Sequence, residues 1–217
     1  MAQRSLAKRA WYEFLKIFCR LGTVIVFRLR GTGRENIPTT GGVLVLSNHQ
    51  SQFDPVLVGL CSQRRMNFLA RQSLFRFTPF RWLIQSLDAI PIDRDGTGFG
   101  GLKETLKRLK RGEIVLIFPE GTRTSDGEVA DLKPGFVALA RRAAVPLLPV
   151  AVDGAFHAWP KGQALPGRAI IHVVYGPPLL PEELPQLDDE QLVAEMHSRI
   201  VACHALARQS RTRAKIA

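Results

Sequence analysis

Ser47-Asn48-His49-Gln50-Ser51-Gln52-Phe53-Asp54 sets a histidine five residues before an aspartate, directly after the apolar run Val43-Leu44-Val45-Leu46. An imidazole that titrates near neutrality, held by a carboxylate, is the smallest assembly that takes a proton from an alcohol. The other histidines, His157, His172, His197 and His204, have Gly162, Pro177, Ala202 and Gln209 five positions on, so the pair occurs once. A second reading competes. Asp54 precedes Pro55 and the apolar Val56-Leu57-Val58-Gly59-Leu60, the pattern of an N-cap aspartate with proline opening a helix. Five residues turn through about 500° of helix, so the two side chains cannot share one helical face. Catalysis therefore needs His49 in a turn and Asp54 at the helix start, with one carboxylate oxygen capping and the other orienting the ring.

Phe118-Pro119-Glu120-Gly121-Thr122-Arg123 also follows an apolar run, Ile114-Val115-Leu116-Ile117, and Ile90-Pro91-Ile92-Asp93-Arg94 lies between the two blocks. Arg94 and Arg123 thus follow strand-like segments, where open α/β sheets place their ligand crevices. Arginine presents a planar fork of donors that matches a pair of phosphate oxygens. Gly121 lets backbone N–H groups come close to an anion, Thr122 adds a hydroxyl, and Glu120 has the chemistry to pair with an arginine or hold a substrate hydroxyl. The bland alternative for each arginine is a solvated surface charge. Gly96-Thr97-Gly98-Phe99-Gly100-Gly101 fits a dinucleotide-loop pattern, but Asp93 and Asp95 beside it would repel a pyrophosphate, so it is read as a glycine loop before a helix. The sequence carries neither a nucleophile elbow nor a P-loop, against a serine hydrolase or an ATPase.

Taken in order and spacing, these blocks together with Val145-Pro146-Leu147-Leu148-Pro149-Val150 resemble the glycerolipid acyltransferase family, typified by the 1-acylglycerol-3-phosphate (lysophosphatidate) acyltransferases. The resemblance covers residues 37–180 and rests on Asn-His-x4-Asp combined with Phe-Pro-Glu-Gly-Thr-Arg; Asp88, where many relatives carry glycine, departs from it. It implies transfer of a fatty acyl group from acyl-coenzyme A or acyl carrier protein to a lysophospholipid hydroxyl, with no cofactor and no metal. His49 and Asp54 would be catalytic; Arg94, Glu120, Gly121, Thr122, Arg123 and, from Lys133-Pro134-Gly135, Lys133 would bind the acceptor. The expected acceptor is 1-acylglycerol-3-phosphate, giving phosphatidic acid; glycerol-3-phosphate and a lyso-ornithine lipid are the alternatives within the class.

Charge distribution adds a location. The chain has 217 residues and a net charge of +11, but its excess lies at the ends. Residues 1–35 hold eight Lys/Arg and two Glu, residues 208–217 four basic groups and no acid, and the rest is nearly neutral. The first segment mixes these charges with Trp11, Tyr12, Phe14, Phe18 and other apolar groups at helical spacing. Its longest uncharged run, residues 21–27, is far short of the ~20 residues a spanning helix needs. An amphipathic helix lying on anionic phospholipid is expected, with an ordinary helix docked on the core as the alternative. The pattern of a signal peptide is not met. Residues 64–82 carry five arginines, five aromatics and no acid, a mixture that suits a lipid surface or single-stranded nucleic acid. The motif blocks favour lipid; no nucleic-acid partner is expected. A non-catalytic membrane or nucleic-acid binder is the reading outside the enzyme class. Three widely spaced cysteines, Cys19, Cys61 and Cys203, suit a reducing compartment, so the cytoplasmic face of a membrane is expected, with peripheral or monotopic attachment.

Strand-like runs at 43–46, 68–70, 90–92, 114–118, 147–152 and 169–175 alternate with helical patterns. The expected fold is α/β, a mostly parallel mixed sheet flanked by helices, with the N-terminal amphipathic segment at 1–33, the catalytic domain at 34–207 and a disordered basic tail at 208–217.

Overall fold

The computed structural model of the chain describes residues 23, 26–71, 89–92, 99–163 and 165–216. Most of the expected N-terminal helical segment, Arg94, residues 96–98 of the glycine loop and positions 72–88 lie outside the described residues.

Seven strands form one sheet: β1 (Arg30–Thr32), β2 (Val43–Ser47), β3 (Met66–Arg71), β4 (Ala89–Ile92), β5 (Ile114–Ile117), β6 (Leu147–Asp153) and β7 (His172–Tyr175). Their order is β1-β7-β6-β2-β5-β3-β4, and every neighbouring pair is parallel except β6 with β7. The six expected strands are all present. β1 was not legible, and it draws Arg30–Thr32, inside the segment expected to be N-terminal helices, into the sheet beside β7.

Alternation along β2 explains the layers. Val43 and Val45 point into one apolar core, with Leu57, Val58 and Leu60 of α1 (Asp54–Cys61). Leu44 and Leu46 point into the other, with Leu109 of α2 (Phe99–Lys110), Leu139 and Ala140 of α3 (Val137–Ala143), and Leu192, Met196 and Ile200 of α5 (Asp189–Ile216). Residues of period two along a strand face opposite sides, so a strand buried on both faces reads as a continuous apolar run. A single turn, α4 (Ala155–Ala158), follows β6.

The start of α5 is set locally: Asp188 Oδ1 accepts the Gln191 N–H at 2.8 Å, and Gln191 Oε1 accepts the Asp188 N–H at 2.9 Å, a reciprocal cap. Its end corrects an expectation. Residues 208–216 are helical rather than disordered, because Arg208 and Arg211 reach carboxylates on the body of the protein. Among the described residues no helix is long and apolar enough to cross a membrane.

Candidate active site

Because β2, β5 and β6 are parallel neighbours, the loops leaving their C-terminal ends gather along one edge of the sheet, with β2 central between them. His49 follows β2, Glu120 follows β5 and Asp153 closes β6.

The chain past β2 is pinned before His49 is reached. Asn48 is fully buried; its Nδ2 donates to Val152 O at 2.9 Å, and its Oδ1 accepts the Val152 N–H at 2.8 Å. The side chain therefore extends the β2–β6 ladder by one rung, leaving no freedom in where the next residue starts. His49 is tied on its far side as well. Its N–H donates to Glu120 Oε1 at 3.1 Å and its carbonyl accepts the Thr124 N–H at 2.8 Å.

With its backbone fixed, the His49 ring stacks on Phe118, centroids 4.0 Å apart and planes 18° from parallel. Its Nδ1 lies 2.8 Å from Asp54 Oδ2. A carboxylate only accepts, so Nδ1 carries the hydrogen and Nε2 presents a lone pair. The ring keeps 15% of its surface open, while Asp54 is fully buried. A buried carboxylate needs several donors, and this one has them: Oδ2 also accepts the N–H groups of Gln50 at 2.6 Å and Ser51 at 2.7 Å. The helix start differs from the expected cap. Phe53 occupies the cap position of α1, Asp54 is its first residue, and the carboxylate turns back to the loop rather than forward to its own helix. The positive end of α1 still favours a negative charge there.

Glu120, expected to bind the acceptor, is almost wholly buried, and its Oε1 accepts the His49 N–H from beneath the histidine. Burial pushes its carboxyl up to about 8; the His49 and Ala130 amides pull the other way, and Asp54 and Asp126 add to the rise.

The turn beyond Glu120 does face outward. Gly121 has φ +75°, and a Cβ there would come within 2.9 Å of Lys133 Nζ and 3.1 Å of its stem carbons. The positive φ favours glycine, and Lys133 lies along the turn, its own N–H bound to Pro119 O at 2.9 Å. Thr122 and Lys133 are exposed and Arg123 is half-buried. The structure thus brings together His49, Asp54, Glu120, Gly121, Thr122, Arg123 and Lys133; Arg94 lies outside the described residues.

One basic group singled out by composition is spent elsewhere. Arg64 donates to the carbonyls of Pro38 (2.6 Å), Thr40 (3.3 Å), Gly41 (2.7 Å) and Gly112 (2.9 Å), stitching loops at the opposite edge of the sheet. Sequence reasoning missed the braces, Asn48, Gln50 and the burial of Glu120. Asn48 stood inside the quoted motif, but its partner is 104 residues away, and no local signal marks it.

The model of the Acyltransferase family matches residues 28–153. The chain is 30% identical over 184 residues to the 1-acyl-sn-glycerol-3-phosphate acyltransferase of Bacillus subtilis, covering 82% of this chain and 89% of that protein. It is 34% identical over 197 residues to the protein of the same name from Pseudomonas aeruginosa, covering 88% and 72%. The crystal structure of the 1-acyl-sn-glycerophosphate acyltransferase of Thermotoga maritima superposes with a TM-score of 0.79 at 26% identity, covering 93% of this chain and 81% of that one. A hydrogen-bonded histidine and aspartate at the centre of such a sheet, a match over more than half the sequence and relatives at this identity agree: the chain belongs to the acyltransferase family.

Proposed function

We propose that this protein moves a fatty acyl group from an acyl thioester, on coenzyme A or acyl carrier protein, to the free hydroxyl of 1-acylglycerol-3-phosphate, forming phosphatidic acid. The observation that carries the chemistry is the 2.8 Å contact between His49 Nδ1 and Asp54 Oδ2, which leaves Nε2 as the basic edge of a partly open ring. The acceptor is supported by the names of the relatives and by the cationic turn at Arg123 and Lys133.

His49 Nε2 removes the proton from the acceptor hydroxyl as its oxygen bonds to the thioester carbonyl carbon. Asp54 holds the ring and stabilises the imidazolium that forms. The tetrahedral intermediate collapses, the carbon–sulfur bond breaks, and the imidazolium returns the proton to the departing thiolate. No acyl-enzyme is formed, and no cofactor is used beyond the donor. Arg123 and Lys133 hold the phosphate. In this reading Arg94, two residues beyond β4 in the sequence, joins them. The basic, aromatic N-terminal segment seats the enzyme on anionic phospholipid at the cytoplasmic face, peripherally or monotopically.

Free-thiol release from acyl-coenzyme A, measured with a panel of acceptors, tests this reading. Release should require the acceptor and be fastest with 1-acylglycerol-3-phosphate. A burst of thiol without acceptor would point to an acyl-enzyme, and a preference for glycerol-3-phosphate or a lyso-ornithine lipid would reassign the substrate.

A further inference from the structure

Behind the His49 loop lies a buried polar cluster that the chemistry above does not use. Asp153, at the end of β6, is 2% exposed. Arg211 Nε donates to its Oδ2, His204 Nε2 lies 3.5 Å from its Oδ1, and Arg208 Nε lies 3.8 Å from the same oxygen. Burial raises the pKa of this carboxyl, but the His204 ring beside it and the Arg211 guanidinium bonded to it outweigh burial and hold the group at about 2. The backbone makes room for the cluster at Gly154, φ +95°, where a Cβ would meet Ile170 O at 2.1 Å and Arg211 Cδ at 2.9 Å.

Gln50 joins this cluster to the site. Its Oε1 accepts the Phe156 N–H at 3.1 Å and its Nε2 donates to Gly127 O at 2.6 Å. One partner only donates and the other only accepts, so the amide has a single orientation. The remaining N–H is directed to the His204 ring, whose Nε2 is 3.2 Å away. Both ends of this chain of contacts reach the proposed reacting groups. The Gln50 backbone N–H is a ligand of Asp54 Oδ2. Gly127 belongs to the turn after Arg123, in which Thr124 binds the His49 carbonyl and Glu128 Oε1 accepts from Arg208 Nη2 at 2.6 Å.

We propose that His204, on the last helix and 154 residues from Gln50, is a positioning residue for acyl transfer, holding the Gln50 amide so that the His49–Asp54 loop and the turn after Arg123 keep one relative placement. The inference rests on the catalytic reading of His49. Neither His204 nor Gln50 touches a reacting atom; each acts through the loop. Displacements near 1 Å at a reacting group cost about 100-fold in rate, which is the scale such a brace controls.

The test compares His204→Leu with His204→Gln in the full chain, by thiol release from acyl-coenzyme A with 1-acylglycerol-3-phosphate, well below each variant's melting temperature. His204→Leu should lower kcat by about 10–100-fold with the KM for acyl-coenzyme A within about twofold of wild type. In His204→Gln the side-chain oxygen supplies an acceptor where Nε2 stood, and most of kcat should return. Unchanged kcat in His204→Leu, a loss confined to KM, or a loss that His204→Gln fails to restore would each overturn the proposal. If His204→Leu does not fold, Gln50→Met is read the same way: lost kcat supports the brace and unchanged kcat ends it. His49→Ala separates the two readings. Activity in His49→Ala defeats the mechanism itself, whereas inactive His49→Ala beside fully active His204→Leu defeats only the brace.

Discussion

Asp54 Oδ2 lies 2.8 Å from His49 Nδ1 and accepts the Gln50 and Ser51 amides with the same oxygen. The aspartate therefore builds the loop that carries its own histidine, and orientation and loop structure reside in one atom.

Replacing His49 with alanine removes the proposed general base and leaves the backbone contacts to Glu120 and Thr124 in place. Turnover should drop at least ~10²–10⁴-fold while the melting temperature stays close to wild type. Thiol release at an ordinary rate from the variant would take His49 out of the mechanism.

Asp54→Asn keeps an oxygen acceptor but loses the charge. Neutral hydrogen bonds are weaker than those to a carboxylate, so stability should fall by about 1–3 kcal/mol in urea titration. Turnover per folded molecule should fall at least ~10²-fold, because the imidazolium loses its stabilising partner. If activity only tracks the folded fraction, Asp54 is a loop staple and nothing more.

For Arg123→Lys the expected change is in acceptor binding. An ammonium cannot reproduce the two-pronged contact, and losing one charge-assisted hydrogen bond, about 1.5–3 kcal/mol, raises the acceptor KM tenfold or more. The KM for acyl-coenzyme A should hold steady. An unmoved acceptor KM would place Arg123 away from the phosphate.

Glu120, pushed up to about 8 by burial, binds its proton in the folded state over a range where the unfolded chain has lost it. The unfolded state then binds fewer protons, so this residue lowers stability as pH rises from about 4.5 to about 8. Glu120→Gln cannot titrate. The stability difference, variant minus wild type, should therefore climb with pH by up to about 1.4 kcal/mol per unit between pH 5 and 8. A flat difference across that window would mean Glu120 is ionised under His49.

Much of this was legible in the chain itself. Six of the seven strands read as apolar runs; in β2, β5 and β6 every residue is buried, so no polar alternation hides them. β1 did not, since Arg30-Gly31-Thr32 is short, mostly polar and stabilised as a strand only by its pairing with β7. The glycine at 121 and the histidine–aspartate spacing announced a turn and a hydrogen-bonded pair, because both depend on contacts within a few residues.

The contact between His49 and Asp54 and the segments that form the sheet around it were readable from the chain alone. Tertiary structure alone decided how those groups are held: Asn48 on Val152, Glu120 beneath His49, and Gln50 against His204. It also turned an apparent basic tail into the last turns of a helix anchored on Asp153. The physical reason is distance along the chain. Local rules of spacing and propensity act over a few residues, whereas the partner of a buried polar group is fixed by which strands the sheet makes neighbours, and here those partners lie 71 to 154 residues away.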